Sequence, residues 1–168
     1  DIGTGSGCIP ISLKLTNTDN QLFGLDISSK ALQIAKHNAL INNAEVTFIE
    51  ADILNLNAPE ITEKKYQIVV SNPPYVTETD KLQMNRNVLD FEPHSALFVP
   101  DNDSLLFYKA IAEFSARQLE PGGYLFFEIN ESYSRETAAM LQDKGFIQIE
   151  PRQDMAGKDR MIKALWPG

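Results

Sequence analysis

The sequence holds one cysteine, one tryptophan and two histidines in 168 residues. A lone Cys8 excludes an internal disulfide framework and fits a reducing cytosol. No His/Cys/Asp cluster has metal-ligand spacing, so no metal is expected. No apolar run approaches the ~20 residues that an α-helix needs to span a bilayer, and no membrane role is expected. Basic clustering is missing as well. The formal charge is −8, from 23 acidic and 15 basic residues. Such a chain repels polyanions and makes a poor generic binder of nucleic acid. Its nearest approach to a basic cluster is the scattered set Arg152, Lys158, Arg160 and Lys163. Internal repeats and low-complexity stretches are absent. No signal peptide is visible, but the chain opens inside a motif, "DIGTGSG", and the true N-terminus is expected upstream.

What is present is a globular composition, 43% apolar, and enough length for one domain with a core. Strand-like and helix-like periods alternate. "QLFGLD" (21–26), "EVTFIE" (45–50), "YQIVVS" (66–71), "YLFFEI" (124–129), "FIQIE" (146–150) and "MIKALW" (161–166) read as strands. The run at 66–71 is apolar enough to be buried on both faces. Helices are expected at 28–42, with Ala31, Ile34, Ala35 and Ala39 on one side, at 102–119, broken by "PGG" at 121–123, and at 131–145, ending on Gly145. Alternating β and α predicts a mostly parallel sheet with helices on both faces. The last two strands lack a helix between them, so one should run antiparallel. Residues 76–101 form a long connection, a candidate lid.

"GTGSG" spaces Gly3, Gly5 and Gly7 by two, with Thr4 and Ser6 between, and leads into a helix whose first turn tolerates Pro10. The dinucleotide fingerprint would need its third glycine at position 8, which is Cys8. The tighter spacing suits a nucleoside ligand without a pyrophosphate. Asp26, at the end of the second strand, can accept two ribose hydroxyls. The plainer alternative is a tight turn and a solvated acid. The strand placement and the acid together favour a nucleoside site.

"IVVSNPPYV" ends a strand on one amide and a stiff elbow. Asn72 offers a carbonyl acceptor and an NH2 donor pair. Pro73 and Pro74 restrict the backbone and present only carbonyl acceptors. Tyr75 adds a flat face. Ligands of open α/β sheets bind outside the carboxyl ends of the strands, so the elbow is expected on the same rim as the glycine turn and Asp26. Together these residues suit gripping a planar NH2 group and turning its nitrogen toward an electrophilic methyl by positioning rather than by a strong base. A structural Pro-rich turn is the alternative. A dinucleotide oxidoreductase and a non-catalytic cofactor-binding module remain competing classes.

"DIGTGSG", "LDIS", "AD" at 51–52 and "VVSNPPYV" together resemble S-adenosylmethionine-dependent methyltransferases. "DFEPHSALFV", "LLFYKAI", "LEPGGYLFFEI" and "DMAGKDRMI" narrow the resemblance to the bacterial peptide chain release factor glutamine N5-methyltransferases, the PrmC/HemK family. The resemblance implies a Rossmann-like, class I α/β sheet, mostly parallel with one antiparallel strand and with its first central strand missing from this chain. Residues 1–168 would be the catalytic domain, without the family's upstream helical docking domain. Gly3 to Gly7 would cradle S-adenosylmethionine, Asp26 its ribose, and Asp52 and Ile53 its adenine. Asn72 to Tyr75 would hold the glutamine amide of a release factor, with Asn72 also bordering the cofactor, in a cytoplasmic, monomeric enzyme that binds no nucleic acid. NPPY alone is shared with adenine and guanine amino-methylases of DNA or rRNA, the alternative reading. Position 53 is often aromatic in the family, so Ile53 offers less stacking area. Cys8 stands where alanine is common and is expected to pack as a small residue. His94 is expected at the surface or facing substrate, and His37 in solvent. The 76–101 lid carries Lys81 and Arg86 against Glu78, Asp80, Asp90 and Glu92, an acidic entrance suited to a protein loop.

Overall fold

The computed structural model describes residues 1–77, 98–99 and 102–168. The chain divides into two compact units, Asp1–Glu63 and Lys64–Gly168.

The first unit is a βαβ crossover with a helix before it. It contains α1 (Cys8–Thr16), β1 (Phe23–Asp26), α2 (Ser29–Ile41), β2 (Thr47–Glu50), a 3-10 turn (Ile53–Asn55) and the short α3 (Pro59–Thr62). β1 and β2 pair in parallel, from Phe23 opposite Thr47 to Asp26 opposite Glu50. Parallel neighbours need a long crossover, which α2 supplies. It starts where Ser28 Oγ accepts the Ala31 N–H at 3.2 Å, satisfying one orphan donor of the first turn. Its buried stripe is Leu32, Ala35 and Ala39, of which Ala39 packs with Ile11, Ala44, Val46 and Phe48. Ile34 does not join the stripe: it is 54% exposed while Leu32 is 3% exposed. The two lie two residues apart, about 200° round a helix of ~3.6 residues per turn, so only one can face the sheet. Before α1, Ile2 makes an isolated parallel bridge to Leu25. Among the described residues 1–7 this bridge is the one β pairing, so the motif begins as pairing to β1 and not as a strand of its own.

The second unit carries a four-stranded sheet in the order β3-β6-β8-β7. Its elements are β3 (Tyr66–Ser71), β4 (Val76–Thr77), β5 (Phe98–Val99), α4 (Leu106–Gln118), β6 (Leu119–Glu128), a 3-10 turn (Glu131–Tyr133), α5 (Ser134–Asp143), β7 (Ile147–Gln153) and β8 (Asp159–Leu165). β3 and β6 are parallel. β8 is the antiparallel strand, inserted between β6 and β7. A turn at 154–158 joins β7 to β8 directly, so the chain must reverse. α4, β6, α5 and β8 build the core from Tyr108, Ile111, Phe127, Leu141 and Ile162, all at most 2% exposed. Tyr108 meets Phe127 edge to face, with centroids 5.1 Å apart.

β3 differs from the expectation of burial on both faces. Val69 and Ser71 are buried, but Ile68 is 55% exposed. Side chains alternate across a strand, and an apolar run does not itself say whether both faces are covered. β6 also begins earlier than the break at "PGG" suggests. Tyr66 faces Leu119 and Ile68 faces Tyr124, so two steps of β3 match five of β6. Pro121, Gly122 and Gly123 form a bulge inside the strand rather than a loop before it.

Candidate functional site

The glycine turn and Asp26 hold each other. Gly3, Gly5 and Gly7 have φ of 71°, 55° and 81°. Gly7 caps α1, and a Cβ there would stand 3.1 Å from the side chains of Ala35, Ile11 and Phe48. Gly5 is different: a Cβ would meet nothing within 4 Å, so its backbone faces open space. The Gly5 N–H donates to Asp26 Oδ2 at 2.8 Å, and the Ser28 N–H to Asp26 Oδ1 at 2.9 Å. Asp26 therefore clamps the turn with both oxygens. Each oxygen keeps a second lone pair for an outside donor. Thr4 is buried, and its hydroxyl donates to Asp1 Oδ2 at 2.6 Å. Asp1 Oδ1 is buried without a hydrogen-bond partner. A buried polar oxygen without a partner is open to a donor from a water, an ion or a ligand.

Ser6 and Cys8 are exposed, with Ser6 Oγ 3.2 Å from Cys8 Sγ. Cys8 does not pack as a small core residue, because the first position of α1 points it outward. Asp52 caps the 3-10 turn: its Oδ1 accepts the Leu54 N–H at 2.9 Å and its Oδ2 the Asn55 side-chain N–H at 3.0 Å. Ile53 opens that turn, partly exposed. His37 is exposed on α2. A cavity of about 570 Å³ opens beside Phe23 and Thr47, at the amino ends of β1 and β2. That is the end of the strands away from Asp26 and Glu50, and none of the candidate residues lines it.

The elbow follows the carboxyl end of β3. Asn72 is exposed, Pro73 buried, and Pro74 and Tyr75 half-buried. The Tyr75 hydroxyl donates to Glu128 Oε1 at 3.2 Å. Glu128 ends β6, the neighbour of β3, one residue past the Ser71–Phe127 pair. Its backbone carbonyl accepts the buried Tyr108 hydroxyl at 3.1 Å. Burial pushes the Tyr75 hydroxyl pKa up, the Glu128 charge and hydrogen bond add to the rise, and Arg160 opposes it. Burial also pushes Tyr108 far up. Arg160, on β8, donates from Nε to Asp154 Oδ2 at 3.3 Å and from Nη1 to the Ile129 carbonyl at 3.5 Å. Asp154 Oδ1 accepts the Ala156 and Lys158 N–H groups at 2.9 and 3.1 Å. The Lys158 N–H leads the contacts that hold this carboxyl below its ordinary pKa. The elbow was legible as a motif. Its backing by Glu128, Tyr108 and Arg160 was not, although an acid ending "YLFFE" at a strand's carboxyl end was a usable sign.

Val76–Thr77 and Phe98–Val99 pair in parallel within the long connection. Glu78, Asp80, Lys81, Arg86, Asp90, Glu92 and His94 lie outside the described residues. Among the described residues, no group of three or more His, Cys, Asp or Glu could hold a metal, and no helix is long and apolar enough to cross a membrane.

A parallel βαβ unit opened by a left-handed glycine turn, with an acid closing its first strand, and an Asn-Pro-Pro-Tyr elbow at another strand's carboxyl end define a Rossmann-like, class I methyltransferase fold. Residues 1–91 match the family model of the methyltransferase small domain, and the chain belongs to that family. It is 47% identical to a release factor glutamine methyltransferase of Flavobacterium psychrophilum, over 97% of this chain and 56% of that protein. It is 48% identical to the same-named protein of Bacteroides thetaiotaomicron, over 98% of this chain and 58% of that protein. The chain thus spans little more than half the length of these curated relatives. Among solved structures, a methyltransferase from Pyrococcus furiosus matches with a TM-score of 0.69 at 14% identity, covering 99% of this chain and 74% of that one. That likeness concerns the fold alone.

Proposed function

We propose that the chain is the catalytic part of an S-adenosylmethionine-dependent N-methyltransferase that methylates the side-chain amide nitrogen of a glutamine in peptide chain release factors. The carrying observation is the near full-chain likeness to release factor glutamine methyltransferases. Residues 1–168 act as the methyltransferase domain. The single cysteine fits a cytoplasmic enzyme; we read it as a monomer.

The residues present fit the cofactor. Asp26 has lone pairs left for a ribose diol, the open face of Gly5 admits a ligand against the backbone, and the unpartnered Asp1 Oδ1 suits an ammonium group. Asp52 fixes the turn that presents Ile53 to an adenine edge. When bound, the cofactor supplies an electrophilic methyl group. Asn72 Oδ1 and a proline carbonyl accept the two amide hydrogens, and the Tyr75 ring lies against the amide plane. An amide nitrogen is a weak nucleophile, so holding both hydrogens and excluding other poses carries the rate.

Asn72→Ala in the full-length protein tests this. It should leave cofactor affinity in calorimetry within about two-fold and cut methyl transfer to release factor by ~10²-fold or more, the scale of a lost orienting group. Undiminished transfer would remove Asn72 from the chemistry. Wild-type protein that binds cofactor but methylates no NH2 substrate would favour a binding module.

A further inference from the structure

Two prolines stiffen the elbow only as far as Pro74. Tyr75 is an ordinary residue at the junction with β4, and its ring needs a hold from outside the motif. The structure provides one. The Tyr75 hydroxyl donates to Glu128 Oε1 at 3.2 Å, and Glu128 is itself fixed. It pairs with Met161 of β8, and its carbonyl accepts the Tyr108 hydroxyl. Next to it, the Ile129 N–H donates to the Arg160 carbonyl at 2.9 Å. Arg160 is pinned by Asp154 and the Ile129 carbonyl. Asp154 in turn is seated by the backbone of the tight turn in "DMAGKDR", with Gly157 at φ 77°.

We propose that Glu128, backed by Arg160 of the β7–β8 hairpin, is a positioning residue for the Asn72–Tyr75 elbow: its carboxylate takes the Tyr75 hydroxyl and fixes the plane of the ring that lies against the substrate amide. This rests on the amide-methylation reading for the ring's task, but not for the contact itself. A carboxylate acceptor binds a phenol more firmly than a neutral one. Arg160 brackets the residue after Glu128 from both sides, with its carbonyl on the Ile129 N–H and its Nη1 on the Ile129 carbonyl, and so holds the end of β6 that carries the acid. The hairpin segment thereby gains a task at the other side of β6: its turn sets Arg160, and Arg160 supports the acid that sets the ring.

The test uses full-length protein with Glu128→Ala, Glu128→Gln, Tyr75→Phe and the Glu128→Ala/Tyr75→Phe double variant. Glu128→Ala and Tyr75→Phe should each lower kcat for glutamine methylation by on the order of ten-fold, through misplacement of the amide, with cofactor affinity unchanged. Glu128→Gln keeps an acceptor and should recover most of the rate. The double variant should be no slower than the slower single one, since both remove one contact. Glu128→Gln as slow as Glu128→Ala, or losses that multiply in the double variant, would overturn the inference. A second readout does not depend on the substrate. In ring-labelled tyrosine NMR, the Tyr75 hydroxyl should titrate at lower pH in Glu128→Gln than in wild type, because the acid's charge is gone. An unchanged titration overturns the contact. If wild type methylates no glutamine, the functional reading fails while this NMR result still decides whether Glu128 holds Tyr75.

Discussion

Gly5 and Gly7 share a left-handed backbone and differ in everything around it. At Gly7 an added methyl would press on Ala35, Ile11 and Phe48 together. Gly7→Ala should therefore lose about 1–2 kcal/mol to left-handed strain and a further ~1–3 kcal/mol to overpacking, read as a lower denaturant midpoint. Gly5→Ala has room and should carry only the strain, about 1–2 kcal/mol. Its larger effect should be on cofactor affinity, because the methyl would occupy the open space beside the turn that the proposed cofactor site uses. Equal stability losses, or unaltered affinity in Gly5→Ala, would contradict this division. The spacing of glycines is visible in sequence, but the difference between them is not, since it depends on neighbours up to 41 residues away at Phe48. Asp26 shows the same limit: its position marked it as an acceptor, yet its bond to Gly5 spans 21 residues. Tyr66 bears on pH. Burial raises its pKa from 10.0 to about 12, so in that window the folded chain binds more protons than the unfolded one. Its contribution is complete below pH 10 and is lost as pH rises through about 12. Unfolding midpoints measured across that range should fall less steeply in Tyr66→Phe than in wild type; parallel curves would show that Tyr66 does not titrate with folding.

At the scale of elements, the longer strands and helices followed from periodicity, while the short α3, β4 and β5 carried no such period, and edges and coverage depended on tertiary partners. The strand at 161–166 was expected as one of a final pair without a crossover, and β8 is indeed the antiparallel member because a short turn at 154–158 must reverse the chain. Its insertion between β6 and β7 is a matter of pairing partners that no local pattern encodes. The "PGG" bulge is the sharper case. Pro and Gly read as a break between helix and strand, yet α4 passes straight into β6 at Leu119. Gly123 explains why the residues are needed there: a Cβ would lie 2.9 Å from the Glu120 carbonyl and 3.0 Å from the Gln67 carbonyl. Both atoms are backbone and cannot swing away. Gly123→Ala should then shift the β3–β6 register at the bulge or cost on the order of 1–3 kcal/mol, while Gly122→Ser, with nothing within 4 Å but φ of 85°, should cost only left-handed strain. Hydrogen-exchange protection of the β3 amides reads the difference, and equal protection in the two variants would argue against a packed bulge.

For the whole molecule, charge bears on whether the partner is protein or nucleic acid. The elbow is silent here, because a glutamine amide and an adenine amine are both planar NH2 groups. The total of −8 was legible at once, but a total does not say whether local cations are free. Ion pairs answer for the nearest approach to a basic cluster. Arg152 and Lys163 both lie against Glu150, at 3.6 and 3.3 Å, Lys158 against Glu131 at 2.8 Å, and Arg160 against Asp154 at 3.3 Å. Surface pairs of this kind add little stability, yet each sets a negative charge beside a cation that a phosphate would need. A protein that makes six or more phosphate contacts loses about 10³-fold or more in affinity between 50 and 200 mM salt, through counterion release. The proposed release-factor substrate releases no such atmosphere, so KM for release factor should change by less than about ten-fold over that range, the residue of screened surface charge. The measurement is methyl incorporation by the full-length protein at several salt concentrations, with release factor, DNA and ribosomal RNA offered in parallel. Label on a glutamine side chain with a shallow salt slope supports the protein substrate. Label on nucleic acid alone, falling steeply with salt, would replace it with the amino-methylase reading.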